Sequence, residues 1–293
     1  MNLNEEIICG YTVSAKMKKI WSVEIDLLKD FIRVCSKHNL RYYVVDGTLL
    51  GCVRHKGFIP WDNDVDVAMP RPDFNELLKL GPSEFSNPHF FQSTYTENGN
   101  VFMPFVKIRD DFSTGGGYDE YMKGIHCGIF IDVFPFDEIP NNFMIRKLYL
   151  HTLNVIRYMS YFCCKEFNKT GIKNKIIYKF RQMIYKYLMS SPDANKLFDI
   201  YNKSAGKYWE RGNKYIADLS FGYQEQLTWV KADWDDTVNM PFEDIDVIAP
   251  KNYENILIRQ YGDYMEIPED KSTHDYYVFD ADVDYKTFFS GDR

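Results

Sequence analysis

Apolar residues recur every three or four positions between residues 18 and 37, with charged residues between them. This spacing predicts an amphipathic helix. Residues 42–45 and 65–69 are short apolar runs, mostly β-branched or aromatic in the first, and they predict two buried strands. Residues 48–54 indicate a short helix between the two strands, and Pro72 suits the first turn of a further helix. The predicted order is therefore helix, strand, short helix, strand, helix.

The next stretch alternates between strand and turn composition. Two apolar-rich segments, residues 89–95 and 101–108, are separated by Glu-Asn-Gly-Asn, which is turn chemistry and predicts a hairpin. Residues 128–134 form a dense apolar run that a single carboxylate interrupts, and we interpret it as a buried strand. Beyond it the pattern predicts three helices: residues 143–163, 173–189 and 193–211.

Helices and strands alternate without an internal repeat, so we predict an α/β (α+β) protein with a mixed sheet, flanking helices and an appended helical region. The chain has 293 residues, close to the size at which one core stops growing. We predict a catalytic core in residues 1–140, a helical basic insertion in residues 141–215, and a C-terminal segment, residues 216–293, that packs back on the core.

The sequence has neither a leader pattern nor an apolar run of the length needed to span a bilayer. Its six cysteines form no C-x-x-C pair, which excludes the usual zinc and disulfide frameworks and predicts buried free thiols in a reducing compartment. We therefore expect a cytoplasmic protein.

Charge is distributed unevenly along the chain. The net charge is -7, yet residues 141–190 carry ten basic side chains and one acidic. Residues 141–190, which we call the basic island, would attract an anionic surface. Two interpretations stay open: a solvated helical face, or a basic, aromatic helix that lies peripherally on the inner face of an anionic membrane through Lys175, Lys179, Arg181 and Lys186. We expect no nucleic acid partner.

Asp64 and Asp66 carry the most informative pattern in the chain. In an extended strand, side chains two positions apart point the same way, so these two carboxylates share one face while Val65 and Val67 point to the other. Their repulsion is relieved by a cation, and two hard oxygen donors suit Mg²⁺ or Mn²⁺. An isolated D-x-D is also typical of a solvated turn, so its surroundings decide between these interpretations.

Asp132 favours the metal site over the solvated turn, because it interrupts a strand that should be buried. An unpaired ionised carboxylate there costs several kcal/mol, so something compensates for it. A neighbouring strand that carries Asp64 and Asp66 would place three carboxylates around one or two divalent ions, and Asp132 could then also accept a proton from an attacking hydroxyl. The alternative is a salt bridge to a basic residue such as Lys107.

Residues around the paired aspartates are suited to binding phosphate. Gly47 permits a close approach of backbone amides to a phosphate, and the Thr48 hydroxyl can donate to a phosphate oxygen. The alternative is that this segment is an ordinary turn in which Thr48 caps the helix that follows. Arg54 and Lys56 offer cations for a diphosphate. We predict these four residues, with Trp61 and Lys107, as substrate-binding residues.

These residues, in this order, resemble the LicD family of phosphotransferases, to which the fukutin-related proteins also belong. The resemblance is carried by residues 46–66, DGTLLGCVRHKGFIPWDNDVD. Further blocks are GIFIDVFP at residues 128–135, PFE at 241–243 and YGDYM at 261–265. Together they cover residues 21 to 274 or thereabouts.

The resemblance implies a nucleotidyltransferase-like core in which the paired aspartates bind Mg²⁺ and Asp132 completes the site. It also implies transfer of phosphocholine from CDP-choline to a sugar hydroxyl of a teichoic acid, lipopolysaccharide or capsular glycan or glycolipid; fukutin-related members handle ribitol phosphate instead. A choline head group requires an aromatic cage, for which the candidates are Trp61, Tyr118, Phe136, Tyr264 and Tyr276.

Two other functions are weighed against this one. A true nucleotidyltransferase would act on a small molecule or a sugar phosphate and release pyrophosphate rather than CMP. A catalytically inactive glycan-binding module would turn over no donor, and the intact aspartates argue against it.

Overall fold

A mixed sheet built around one long strand organises the protein. The computed structural model describes residues 1–161, 194–269, 271 and 277–291. The predicted helix 173–189, Tyr276, Cys163, Cys164 and the four basic residues assigned to membrane contact lie outside these ranges.

Helix α1 begins where Ser14 accepts a hydrogen bond from the Met17 backbone and ends at Asn39, which adopts a left-handed conformation. Its buried face confirms the predicted amphipathic pattern. The short α2 and the helix α3, with Pro72 in its first turn, also form as predicted. The described helices are α1 Ala15–His38, α2 Asp46–Arg54, α3 Arg71–Glu84, α4 Tyr118–Tyr121, α5 Phe143–Tyr161, α6 Ala194–Ala205, α7 Tyr253–Tyr261 and α8 Tyr285–Ser290.

The predicted strands at residues 42–45, 65–69 and 89–95 are present to within three residues, whereas the strands at residues 6–8, 11–13 and 114–116 were not predicted. The second strand of the predicted hairpin begins five residues later than predicted, so its connection is longer than the four-residue turn. The long buried strand runs five residues further than predicted, to Ile139. The described strands are β1 Glu6–Ile8, β2 Tyr11–Val13, β3 Tyr43–Val44, β4 Asp66–Pro70, β5 His89–Gln92, β6 Val106–Asp110, β7 Thr114–Gly116, β8 Phe130–Ile139, β9 Tyr215–Asp218, β10 Thr228–Val230, β11 Thr237–Phe242, β12 Ile245–Pro250 and β13 Val278–Asp280.

Within the described residues, seven strands form the main sheet, with the path β10-β9-β8-β4-β3 and the hairpin β5-β6 joined to β8 through β6. The pair β4 and β8 is parallel and the other pairs are antiparallel. This confirms the predicted α/β class with a mixed sheet. Its register places Asp66 opposite Asp132, and Lys107 opposite Asp132 from the other side.

Helices α1 and α3 cover the sheet, and the core between them is dominated by aliphatic and aromatic side chains such as Trp21, Phe31 and Phe74. Helix α5 packs against α6, where the Tyr149 hydroxyl donates to the Ala205 carbonyl at 2.8 Å. In the described ranges, no helix combines the length and apolar character needed to cross a bilayer.

Three of the cysteines meet the expectation of buried free thiols: Cys35, Cys52 and Cys127. Cys9 is free but exposed, because it lies in the tight turn between β1 and β2 at the surface, with a φ of 51°.

Asp218, at the end of β9, is buried, and its Oδ1 accepts a hydrogen bond from the Ser220 backbone at 2.8 Å. Burial raises the pKa of Asp218 from 3.8 to about 7. Because the folded-state pKa lies above the unfolded one, the free energy of unfolding falls as the pH rises from about 4 to about 7.

We therefore expect Asp218→Asn to stabilise the protein at alkaline pH by up to about 4 kcal/mol, and by little at low pH. Urea unfolding across this pH range measures the difference. Asp246→Asn, a substitution at an exposed position on β12, is the matched control. A variant whose free energy of unfolding tracks the wild type at every pH would show that Asp218 ionises in the folded state at its ordinary pKa.

Candidate active site

A cavity of about 410 Å³ opens at the end of the sheet where β4 begins. One wall comes from the segment between the end of β3 and the start of β4, and the opposite wall from the segment that follows α7. Such a volume falls within the range of ligand sites in proteins. The cavity is lined by Asp46, Gly47, Leu50, Arg54, Ile59, Trp61, Asp62, Asp64, Asp66, Tyr261, Asp263, Tyr264, Glu266 and Pro268.

The predicted pair Asp64 and Asp66 lies in this lining, at the entry to β4. Two backbone hydrogen bonds hold this part of the chain: the Val45 N–H donates to the Asp66 carbonyl at 3.1 Å, and the Asp132 N–H to the Val65 carbonyl at 2.9 Å. A third bond runs from the Asp66 N–H to the Thr48 hydroxyl oxygen at 2.8 Å. The carboxylates are therefore positioned by neighbours on both sides of the strand.

Thr48 is buried, and its hydroxyl accepts from Asp66 rather than capping helix α2, for which no side-chain cap is present. Its role in this structure is to hold the start of β4. Gly47 leaves room for a neighbouring carboxylate, since a Cβ atom there would lie 2.6 Å from Asp62 Oδ2. A side chain at Gly47 would displace the Asp62 carboxylate from the first turn of α2.

Asp62 was not among the predicted site residues, although it stands in the same D-N-D-V-D run. Its carbonyl accepts a hydrogen bond from Trp21 Nε1 at 2.8 Å. This bond attaches residues 62–66, which we call the aspartate loop, to helix α1. Burial raises the pKa of Asp62.

Asp46 is a further acid at the site. Its backbone adopts a φ of 48°, and its carboxylate accepts a hydrogen bond from the Gln260 side chain of α7. Burial raises the pKa of Asp46 to about 6.

Repulsion among these acids is strongest at Asp66. Burial, and then the charges of Asp64, Asp46, Asp132 and Asp62, raise the pKa of the Asp66 carboxyl well above its ordinary value. A cation at the cavity would reverse this effect, because it favours the ionised form of each carboxyl.

Glu24 is a carboxyl that the sequence interpretation missed. It lies on the buried face of α1, fully shielded from solvent, and within the described part of the chain neither of its oxygens has a hydrogen-bond partner. Burial, with the nearby charges of Asp64 and Asp62, raises the pKa of Glu24 well above its ordinary value and favours the neutral acid. Its signal in the sequence is a charged residue at an inward position of the helical pattern, three residues after Trp21.

Asp132 lies beside Asp66, as the sequence predicts, but its carboxylate is paired. Lys107 Nζ lies 2.8 Å from Asp132 Oδ1 and donates to Oδ2 at 2.9 Å, and both side chains are largely buried. The ammonium also lies 3.4 Å from the centre of the Phe130 ring. The salt bridge to Lys107, which was the alternative interpretation of Asp132, is therefore present in this structure.

Arg54 and Lys56 have different positions. Arg54 lines the cavity, where its Nη1 donates to the carbonyl oxygens of Tyr264 and Glu266 at 3.0 and 3.1 Å. This guanidinium joins the two walls. Lys56 is exposed and lies outside the cavity lining, while its carbonyl accepts from the Glu243 backbone at 2.9 Å.

Of the five cage candidates, Trp61 and Tyr264 line the cavity. Phe136 is buried against Trp229 and Trp234, because it belongs to the covered half of β8. Tyr118 packs on Phe289 away from the cavity. The structure adds Tyr261, Asp263 and Glu266 to the site. Tyr261 ends α7 and the two acids follow it; Tyr261 and Asp263 were noted only as part of a resembling block, and Glu266 was not noted.

The donor set suits a hard divalent cation. Among the described residues, no three His, Cys, Asp or Glu side chains converge closely enough to hold a metal by themselves. Mg²⁺ is usually bound by one or two carboxylates together with phosphate oxygens of the substrate. The aspartates around the cavity fit that mode of binding, in which Asp64 and Asp66 would be the protein ligands.

Comparisons with known proteins agree with this site. The family model described as "LicD/FKTN/FKRP, nucleotidyltransferase domain" matches residues 39–168, which include the aspartate loop and Asp132. The Haemophilus influenzae protein named "Lipopolysaccharide cholinephosphotransferase LicD" is 25% identical over 270 residues, which cover 88% of this chain and 94% of that protein.

Two shorter matches come from Rickettsia. The uncharacterized protein RP689 of Rickettsia prowazekii is 37% identical over 82 residues, 28% of this chain and 30% of its own length. The uncharacterized protein RT0683 of Rickettsia typhi is 45% identical over 81 residues, 27% of this chain and 25% of its own length. Residues 39–168, which contain Asp64, Asp66 and Asp132, are thus similar to the nucleotidyltransferase domain of the LicD family.

Proposed function

We propose that this protein transfers phosphocholine, or a similar phospho-alcohol, from a CDP-linked donor to a hydroxyl of a cell-surface glycan or glycolipid. The match to the LicD domain model and the similarity to the Haemophilus cholinephosphotransferase support a transferase of phosphate-containing groups. The name of the Haemophilus relative supports choline phosphate as the group and lipopolysaccharide as the class of acceptor.

The observation that carries the proposal is the charge of the cavity. Among the described residues its lining holds six carboxylates, four of them from residues 46–66, and one cationic side chain, Arg54. An anionic diphosphate would be repelled from such a wall unless a divalent cation lies between them. Mg²⁺ or Mn²⁺, held by Asp64 and Asp66, would neutralise charge on the donor phosphates and on the departing CMP.

The chain itself supplies positioning and proton transfer. The N-terminus of α2, at Asp46 and Gly47, borders the cavity and presents its positive end to an anion. Asp132, which lies beside Asp66 and outside the cavity lining, is assigned the role of the base that accepts the proton of the acceptor hydroxyl. The hydroxyl oxygen then bonds to the distal phosphorus as the bond from that phosphorus to the bridging oxygen breaks, and CMP leaves.

We assign the head group of the donor to the cavity wall formed by residues 261–268, at and after the end of α7. Arg54 and Lys271 already lie over the Trp61 ring, at 5.8 and 5.5 Å from its centroid, so a further cation is better placed against Tyr261 and Tyr264. Tyr261 is 42% exposed. Its ring, with the neighbouring acids Asp263 and Glu266, offers both contacts that a quaternary ammonium requires.

Tyr261→Leu is expected to lower kcat/KM for CDP-choline by about 5- to 30-fold, the range of a cation–π contact, and to spare CDP-glycerol, which has no cation. Tyr261→Phe keeps the ring and is the matched control. Equal losses with the two donors would assign Tyr261 to the structure of the wall rather than to the head group.

The proposed function is tested with the purified full chain, CDP-choline, CDP-ribitol and CDP-glycerol, an acceptor glycan, and Mg²⁺ or EDTA. Metal-dependent release of CMP, with phosphocholine on the glycan, is the expected result. Release of pyrophosphate from a nucleoside triphosphate would favour the nucleotidyltransferase instead. Glycan binding without turnover of any donor would indicate a binding module.

We place this reaction in the cytoplasm, with the basic island next to the inner face of the membrane. The acceptor class supports this placement, because a glycolipid presents its sugar at a lipid surface. CDP-choline is the donor that we expect to be used most rapidly.

A further inference from the structure

Helix α5 has apolar side chains on two opposite faces. The inner face packs against α6 and the core, and its members Tyr149, Leu153 and Ile156 are at most 8% exposed. A surface helix that served only this packing would have a polar outer side.

The outer side of α5 is apolar instead. Met144, Leu148, Val155 and Tyr158 are 69%, 68%, 44% and 61% exposed. With His151 they follow one another at intervals of four and three residues, the spacing of a continuous stripe along a helix. We call these five residues the outer α5 face. Phe143, 69% exposed, extends it at the N-terminal end. An exposed apolar stripe of this length marks a contact surface rather than an ordinary solvated one.

The charged residues of α5 itself are all basic. No acidic residue occurs between Glu138 and Glu166 in the sequence. Arg146, Lys147 and Arg157 lie on α5 itself, within the basic island, whereas acidic residues predominate in the rest of the chain. An anionic surface would therefore be attracted to this face and repelled by the remainder of the molecule.

We propose that the outer α5 face docks on the surface of a membrane that contains anionic lipids, with α5 parallel to the bilayer and its apolar side chains among the head groups. An apolar stripe flanked by basic residues is the pattern of helices that bind in this way. A second copy of the chain fits less well, because a twofold contact through α5 would bring the same basic residues face to face.

Sedimentation of the full chain with vesicles tests this docking, and its result does not depend on whether the protein turns over a CDP-linked donor. The protein should bind vesicles of phosphatidylcholine mixed with phosphatidylglycerol, bind less at high salt, and bind phosphatidylcholine alone weakly. The double variant Met144→Gln, Leu148→Gln should bind at least about tenfold more weakly. Lys147→Gln should weaken binding about fivefold.

Ile200→Gln is the matched control, because Ile200 is an exposed apolar residue of the neighbouring helix α6, at 44% exposure. It should bind as the wild type does, and all variants should keep the wild-type thermal midpoint. Binding of the double variant equal to the wild type, or no binding by the wild type, would overturn the proposal. So would a dimer in solution that the double variant dissociates, since the face would then belong to a second copy.

Discussion

Asp66→Asn is expected to reduce turnover of a CDP-linked donor by at least about a thousandfold, while the protein stays folded. The loss corresponds to the several kcal/mol that a bound divalent cation contributes to a phosphoryl transition state. The fold should survive because Asp66 is repelled by four neighbouring aspartates, and the amide removes that repulsion. Its backbone bonds to Thr48 and Val45 do not involve the carboxylate.

Steady-state rates of CMP release over a range of Mg²⁺ concentrations, with thermal unfolding in EDTA, measure both parts of this prediction. Asp64→Asn should behave in the same way. Asp246→Asn, the same chemical change at an exposed position outside the cavity, should leave the rate unchanged. A near wild-type rate for Asp66→Asn at saturating Mg²⁺ would show that the pair does not bind the essential ion.

Asp132→Asn is expected to lower the rate at least about a hundredfold, the lower end of what a positioned base contributes. It should also destabilise the fold, because the ammonium of Lys107 is buried and hydrogen bonds to this carboxylate. Breaking a buried ion pair by removing one partner costs about 3–5 kcal/mol. A single substitution therefore cannot distinguish a base from a structural ion pair.

The double variant Lys107→Met, Asp132→Asn makes the distinction, because it removes both charges together. Stability should return towards the wild type, since no buried charge is left without a partner. The rate should stay low if Asp132 is the base. Recovery of the rate along with stability would assign the pair to the structure alone, and urea unfolding with rate measurements on the single and double variants gives the answer.

Elements with a strong local pattern were predictable from the sequence. Helix α1 and the strands β3 and β4 lie within a few residues of the predicted ranges, because periodic burial and turn residues encode them locally. The meeting of Asp66 and Asp132 followed from a carboxylate in a buried strand that needed compensation. The sequence could not decide between a metal and Lys107 at Asp132, because that choice depends on strand order in the sheet.

The part of the fold after α6, which includes the wall that follows α7, was not predictable in the same way. Strands β9 and β10 have four and three residues, too few to display a period. The contacts that place the wall span long distances along the chain, such as the bond from Arg54 to the Tyr264 carbonyl. Glu24 was missed because a buried acid in a helix differs from a surface acid only through its partners in space.

The cavity is closed by residues far apart in the sequence, and this has a consequence for how the protein matures. Residues 46–66 leave the ribosome about two hundred residues before Gln260, Tyr261 and Glu266. Because domains fold progressively during synthesis, the aspartates of residues 46–66 emerge before the wall that faces them exists. The cavity that we assign to the donor is thus completed only after α7 and the residues that follow it have been made.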